Sequence, residues 1–401
     1  MASYSFLHAA DIHLDSPLVG LRARGDVPEA VLRDCTRRAF SAMVDLAVAE
    51  QVGFVVIAGD LYDGNWKDFS TGLFFAAEMR RLGRPCFLLR GNHDARSVIT
   101  RALRPPANVR EFSSRTCESF VLDELGVALH GHSFPNRAVP EDLSAGYPAP
   151  HPGRLNIGVL HSSAEDPGEH ETYAPCSVAA LTLKGYDYFA LGHVHERRVL
   201  AERPWVVFPG NMQGRHARET GAKGCSLVRV EDGRVVAVTH RVLDVVRWVA
   251  LEVEAGDDAV LLRQRITQAV RSAAAACDAR PMLARLTVTG ESGLALDAEQ
   301  LAAECRNAAI EADAALWVES VKLRVRGAAP LEAELLAPLH EAFAAGLDDP
   351  ALRAALLDDL AALRQRLPAA ARVGLDLPEV EDGLRALAGE AWAIAAGLLR
   401  P

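Results

Sequence analysis

The chain has 401 residues, half of them hydrophobic and 24% charged, with a formal net charge of −10. That length exceeds one ordinary core and that balance excludes a disordered chain, so two or three globular domains are expected. The charge also excludes a uniformly basic nucleic-acid surface, since residues 1–250 carry 28 Lys and Arg against 29 Asp and Glu, and residues 251–401 carry 15 against 24.

In chain order, the first strand-like run, "YSFLHAA", leads into Asp11-Ile12-His13. It begins so early that no signal peptide is expected, and no apolar run approaches the ~18 residues of a membrane span. A helix is expected over 29–50. "FVVIA" then leads into Gly59-Asp60, a second helix is expected over 68–82, and "CFLLR" leads into Gly91-Asn92-His93-Asp94. "LNIGVL" ends in His161, and "YDYFAL" in Gly192-His193-Val194-His195. Runs this short and continuously apolar are expected of strands buried on both faces. Alternating with helices, they predict a layered α/β domain over 1–246, with ligands gathered beyond the carboxyl ends of the strands.

Several neighbours of these motifs have plainer expectations. Asp63 is expected to cap the turn after Asp60, with a part in cleavage as the alternative. Trp66 and Phe69 are expected at a subunit interface, with base stacking as the alternative. His8 should face away from the site, and His130-Gly131-His132 should be structural. In the loop "GNMQGRHARETGAKG", Arg215 and Lys223 are candidates for phosphate contact, and His216 accompanies Arg215 as a substrate-binding candidate.

From 247 onward "RWVALEVEA", "ARLTVTGE" and "LWVESVKLRV" predict three strands, with helices over 258–276 and 297–312. This is a small α+β domain over 247–328, and Asp297 with Gln300 suits a capping box. Residues 329–401 are expected to be helical. Asp349-Pro350 starts one helix and Pro368 stops it. Leu384, Leu387, Ala391, Ile394 and Leu398 form a narrow apolar stripe, for packing within the chain or for docking a partner. Seven cysteines without a CxxC pair are expected to be reduced, as in a cytoplasmic protein.

The strand-end residues Asp11, His13, Asp60, Asn92, His161, His193 and His195 supply two carboxylates, one amide oxygen and four imidazoles. That is about what two divalent ions need if one carboxylate is shared. Mixed nitrogen and oxygen ligands without thiolate suit Mn²⁺, Fe²⁺ or Zn²⁺ better than Ca²⁺. In an extended backbone Asp11 and His13 would point to one side, as would His193 and His195.

D-x-H, G-D, G-N-H-D, H and G-H-x-H in this order resemble the calcineurin-like metallophosphoesterase superfamily. The words "HAADIHLDSPLVGL", "GDLYDGNWKDFSTGLFF" and "PGNMQGRHARETGAKGC" are similar to bacterial DNA-repair exonucleases of the SbcD and YhaO type. The resemblance covers residues 5–240 and, more loosely, 247–328, where such proteins carry a capping domain. It implies an α/β/β/α sandwich and a capping domain, and it does not extend over 330–401, where only helical character is read. It further implies one ion on Asp11, His13, Asp60 and His195, and a second on Asp60, Asn92, His161 and His193, with Mn²⁺ the expected metal. His93 is then the histidine beside the scissile phosphate, with Asp94 placed to orient it or to act as a buried cap. The implied activity is hydrolysis of DNA phosphodiester bonds, with an SMC-like ATPase partner and a possible homodimer. The chain itself has no GxxxxGK[ST] phosphate loop. The alternative is a calcineurin-like phosphatase or phosphodiesterase acting on small nucleotides or phosphoproteins.

Overall fold

The structure is a computed structural model and describes residues 3–16, 34–64, 68–97, 104–164, 173–327, 333–366, 384, 387–389 and 391–392. Six strands form the first sheet: β1 (Tyr4–Ala9), β2 (Phe54–Ala58), β3 (Cys86–Leu89), β4 (Val109–Glu111), β11 (Gly224–Glu231) and β12 (Arg234–Val242). Six form the second: β5 (Glu118–Leu122), β6 (Val127–Gly131), β7 (Leu155–His161), β8 (Tyr188–Gly192), β9 (Arg198–Glu202) and β10 (Trp205–Phe208). Their orders are β12-β11-β1-β2-β3-β4 and β5-β6-β7-β8-β10-β9. The central pairs β1–β2, β2–β3, β6–β7 and β7–β8 are parallel, and the outer ones β11–β12, β5–β6 and β9–β10 are antiparallel.

Alternation along the strands builds the layers. Phe6, Phe54, Val56 and Phe87 meet Leu129, Ile157, Val159 and Tyr188 in a core between the sheets. The opposite parity, Leu7, Ala9, Val55 and Ile57, packs on Ala39, Phe40, Met43 and Val44 of helix α1 (Cys35–Ala49), and on Phe75 and Met79 of α2 (Phe69–Leu82). Behind the second sheet, Leu160, Phe189 and Leu191 cluster with Leu181, and the short helices are α3 (Asn92–Arg96) and α4 (Val178–Leu183). The result is the layered α/β/β/α arrangement. Each fully buried Phe or Leu contributes roughly 1.5–3 kcal/mol, so both faces of both sheets hold the site's scaffold firmly.

Local chemistry sets the helix ends. Asp68 caps α2 through the Ser70 N–H at 2.8 Å, and Gly83 closes it with φ 62°. The start of the helix expected over 29–50, like Trp66, lies outside the described residues.

Further along, β13 (Arg247–Glu254), β14 (Met282–Ser292) and β15 (Leu316–Gly327) form a three-stranded sheet, accompanied by α5 (Ala259–Ala276) and α6 (Ala298–Glu311). Asp297 accepts from the Gln300 N–H at 2.7 Å. α7 (Ala333–Asp348) and α8 (Pro350–Arg366) follow, and Asp349 caps α8 through the Ala351 N–H at 2.9 Å. Leu384 of the expected stripe is buried and Ala391 exposed, whereas Ile394, Leu398 and Pro368 lie outside the described residues. By contacts the chain forms two compact units. One comprises Met1–Leu251, Ile266–Leu286 and Ala302–Val321, and the other comprises Glu252–Arg265, Thr287–Leu301 and Lys322–Pro401. The candidate site lies wholly within the first.

Candidate metal centre

All seven strand-end residues converge. Among the described residues, three sets of side chains bring ligand atoms within 4.8 Å of one another: Asp11 with His13 and His195, Asp11 with Asp60 and His161, and His13 with Asp60 and His93. Asp60 Oδ2 lies 3.9 Å from His13 Nε2 and 3.5 Å from His161 Nε2, so one carboxylate oxygen faces both groups of ligands. Asn92 Oδ1 is 2.9 Å from the same His161 nitrogen. His193 reaches this side too, its ring centroid 5.2 Å from that of His161.

The backbone that delivers these groups differs from the extended geometry expected for D-x-H. Asp11, His13 and Asp60 have φ of 51°, 46° and 54°, and His193 has 102°. The side chains therefore converge through left-handed turns beyond the strand ends, not through strand parity. Asp and His tolerate this region better than most residues, yet each such position costs on the order of 1–3 kcal/mol. Hydrogen bonds hold the turns: the Asp11 N–H donates to Gly59 O at 3.0 Å, and the His13 N–H to Asp60 O at 3.0 Å. The His193 N–H donates to Asp11 Oδ2 at 2.9 Å. Glycine is required beside them. A Cβ on Gly91 would sit 2.3 Å from Asp60 Oδ1, and one on Gly192 would sit 1.9 Å from Ala58 O.

The protons show what the site lacks. His161 Nδ1 faces Ala58 O at 3.0 Å, so that nitrogen carries the hydrogen. Nε2 then presents a lone pair to Asn92 Oδ1 and Asp60 Oδ2, three acceptors with no donor among them. His195 repeats the pattern: Nδ1–H donates to Glu219 Oε1 at 2.6 Å, and Nε2 faces His13 Nε2 at 3.4 Å and Asp11 Oδ1 at 3.9 Å. Protonating the imidazoles would relieve this, but burial pushes His13, His161 and His195 below their ordinary range. Burial, with Asp60 next, holds Asp11 well above the carboxylate range. Burial raises Asp60 as well, but His161, then His93, outweigh it and leave Asp60 lowered. The unprotonated Nε2 atoms of His161 and His195 converging on the ionised Asp60 carboxylate fit a cation, and the N/O donor set fits a divalent one.

His93 lines the adjacent cavity of about 800 Å³ with a side chain 37% exposed. Its backbone N–H donates to Asp60 Oδ1 at 2.9 Å. The expected orienting partner, Asp94, does not serve it. Asp94 accepts from the backbone N–H groups of Tyr62 (2.9 Å), Gly91 (3.1 Å) and Leu61 (3.2 Å) and so ties the GNHD turn to the GDLY turn. Adjacency in sequence misleads here, because in a helical turn consecutive side chains diverge. Asp63 is the partner instead, its Oδ1 3.3 Å from His93 Nδ1. Burial lowers His93, but the hydrogen bond to Asp63 and the charge of Asp60 leave it raised.

Arg215 also lines the cavity, with Nη1 donating to Ser16 Oγ at 3.1 Å and lying 3.7 Å from Asp63 Oδ2. Lys223 is buried and donates to His195 O at 2.8 Å, which commits the ammonium to the scaffold. His216 lines the cavity, but both ring nitrogens work within its own loop. Nδ1 accepts from the Arg218 N–H at 3.2 Å, and Nε2 faces Glu219 Oε1 at 3.2 Å. This argues against the direct anion contact expected of it. His8 faces away, with Nε2–H donating to Leu191 O and Nδ1 accepting from Tyr188. His130 is engaged by Ser119 and Asn156, in keeping with a structural role.

The model of calcineurin-like phosphoesterases matches residues 4–197, the stretch that carries all seven converging residues. The chain contains a calcineurin-like phosphoesterase domain. A second family model, the middle domain of the metallophosphoesterase YhaO, matches residues 248–326. The chain is 36% identical over 252 residues to metallophosphoesterase YhaO of Bacillus subtilis, covering 61% of this chain and 62% of that protein. It is 29% identical over 210 residues to the DNA double-strand break repair protein Mre11 of Sulfurisphaera tokodaii, covering 50% of this chain and 51% of that one. The matches thus span between half and two thirds of these relatives' length. A dimetal phosphatase of Danio rerio aligns over 59% of this chain and 99% of its own, at 12% identity and a TM-score of 0.35.

Asp63, expected to cap a turn or to take part in cleavage, bonds to His93, and Glu219 gave no sequence signal beyond being the single acid among Arg215, His216, Arg218 and Lys223.

Proposed function

We propose that this chain hydrolyses DNA phosphodiester bonds with two divalent ions, Mn²⁺ by preference. The observation that carries this is the convergence of lone pairs from His161, Asn92 and Asp60, and from His13, His195 and Asp11, beside a cavity that Asp60, Asn92, His193 and His195 line. One ion would be held by Asp11, His13, Asp60 and His195, and the other by Asp60, Asn92, His161 and His193. Bound there, they would supply Lewis acidity toward phosphate oxygens and activate water near neutral pH. His93, fixed through Nδ1 by Asp63, would pass a proton from its other nitrogen to the departing oxygen. Arg215 would offer its charge to the phosphodiester.

DNA as substrate is supported by the words shared with the SbcD and YhaO type and by relatives named for double-strand break repair. An SMC-like ATPase partner, a homodimer, cytoplasmic location, a capping role for 247–328 and partner docking by 329–401 belong to the same proposal; the ATPase partner and the capping role rest on the resemblance, the location on seven cysteines without a CxxC pair, and the docking on the apolar stripe of residues 384–398. Among the described residues, no helix is long and apolar enough to cross a membrane. The test is end-labelled linear duplex DNA with Mn²⁺. Degradation that stops on chelation is expected. Intact DNA alongside hydrolysis of bis-p-nitrophenyl phosphate would favour the small-substrate phosphoesterase instead.

A further inference from the structure

Glu219 lies in the loop between β10 and β11, belongs to no ligand set, and is nonetheless the most heavily bonded carboxylate around the site. Its side chain is 6% exposed. Oε1 accepts from His195 Nδ1–H at 2.6 Å and faces His216 Nε2 at 3.2 Å. Oε2 accepts from the Arg215 N–H at 2.6 Å and from Asn211 Nδ2 at 2.9 Å. With its other nitrogen committed to Glu219, His195 has one tautomer available, and Nε2 faces His13 and Asp11. The second oxygen holds the backbone of Arg215, whose guanidinium reaches Ser16 and Asp63 beside His93. A single buried carboxylate therefore links a candidate ligand to the cavity wall that carries Arg215.

We infer that Glu219 is a positioning residue that fixes the tautomer and aim of His195 for the ion shared with Asp11 and His13, and anchors Arg215 over the same cavity. This rests on the metal reading above. Carboxylate partners of ligating histidines set ring orientation and raise basicity, and their removal typically costs about 10- to 100-fold in metal affinity. Glu219 bonds directly to His195, which belongs to only one of the two proposed ligand sets, so the weakening is expected at one of the two ions.

The experiment is calorimetric titration of Mn²⁺ into the metal-free full chain, comparing the native protein with Glu219→Gln and Glu219→Ala. The native protein should show two binding events. In both variants one event should weaken by about 10- to 100-fold while the other is retained. Glu219→Gln keeps the shape of the side chain, and its metal-free melting temperature should stay close to that of the native protein. Two unchanged events in Glu219→Ala would overturn the inference. So would equal loss of both events in Glu219→Gln, or collapse of its metal-free fold, because Glu219 would then support the fold at large. A native chain that binds no ion overturns the metal reading together with this inference. A chain that binds two ions but leaves DNA intact overturns only the proposed substrate, and the Glu219 comparison still stands on the titration.

Discussion

Asp63 and Asp94 lie on either side of the same histidine and do different work. Asp94 spends its carboxylate on three backbone N–H groups, and burial, with Asp60 next, pushes it up to about 7. Asp63 is held well below the usual carboxylate range, first by its bond to His93. Asp63→Asn should therefore lose part of the ~10²–10⁴-fold that a positioned proton donor contributes. Single-turnover cleavage should fall while Mn²⁺ stoichiometry stays the same; unaltered cleavage would contradict the pairing. The ligand candidates were legible as residues because each follows a buried apolar run. The pairing was not, because it joins two loops whose approach depends on how β2 and β3 align.

Among the elements, the β1, β2, β3, β7 and β8 runs were legible from continuous hydrophobicity, and all are strands. What the pattern did not carry is the turn geometry after them. Gly59 and Asp60 are both left-handed, and the segment after β1 continues to bond to the segment after β2, with the Leu14 N–H donating to Leu61 O at 2.9 Å. Nor did it carry the order in which β10 inserts between β8 and β9, which antiparallel pairing decides. Glycine at these turns is a packing requirement. Gly91→Ala changes no ligand, yet its Cβ would press on Asp60 and His161. It should destabilise the protein by about 1–3 kcal/mol, the range for overpacking, and weaken metal binding. Chemical denaturation and metal titration of that variant check both effects, and native values in both would contradict the packing argument.

For the molecule as a whole, His8 is a polar link inside the sandwich, joining β1 of one sheet to Tyr188 and Leu191 of the other. Burial lowers it to about 3, against 6.5 for the free side chain. The unfolded chain thus binds a proton that the folded one refuses. The stability from neutral His8 is complete above about pH 6.5 and falls as pH drops toward 3, by roughly 1.4 kcal/mol per pH unit. His8→Gln should flatten the fall in stability between pH 6 and 4 by about that slope, as read from denaturant midpoints at each pH. Equal slopes in the two proteins would place the acid sensitivity elsewhere. The layered architecture itself was legible in the alternation of helices and strands, whereas the facing of two separate six-stranded sheets is fixed by side-chain parity across the whole core.

His93 is proposed as a proton-transfer group outside the metal ligands, although His13, Asp60 and His93 lie close enough to bind an ion together. The most direct measurement is metal content and DNA cleavage of His93→Leu after loading with Mn²⁺. Two ions per chain with cleavage reduced by on the order of 10²–10⁴-fold is the predicted result. One ion per chain, or two ions with native cleavage, would contradict it.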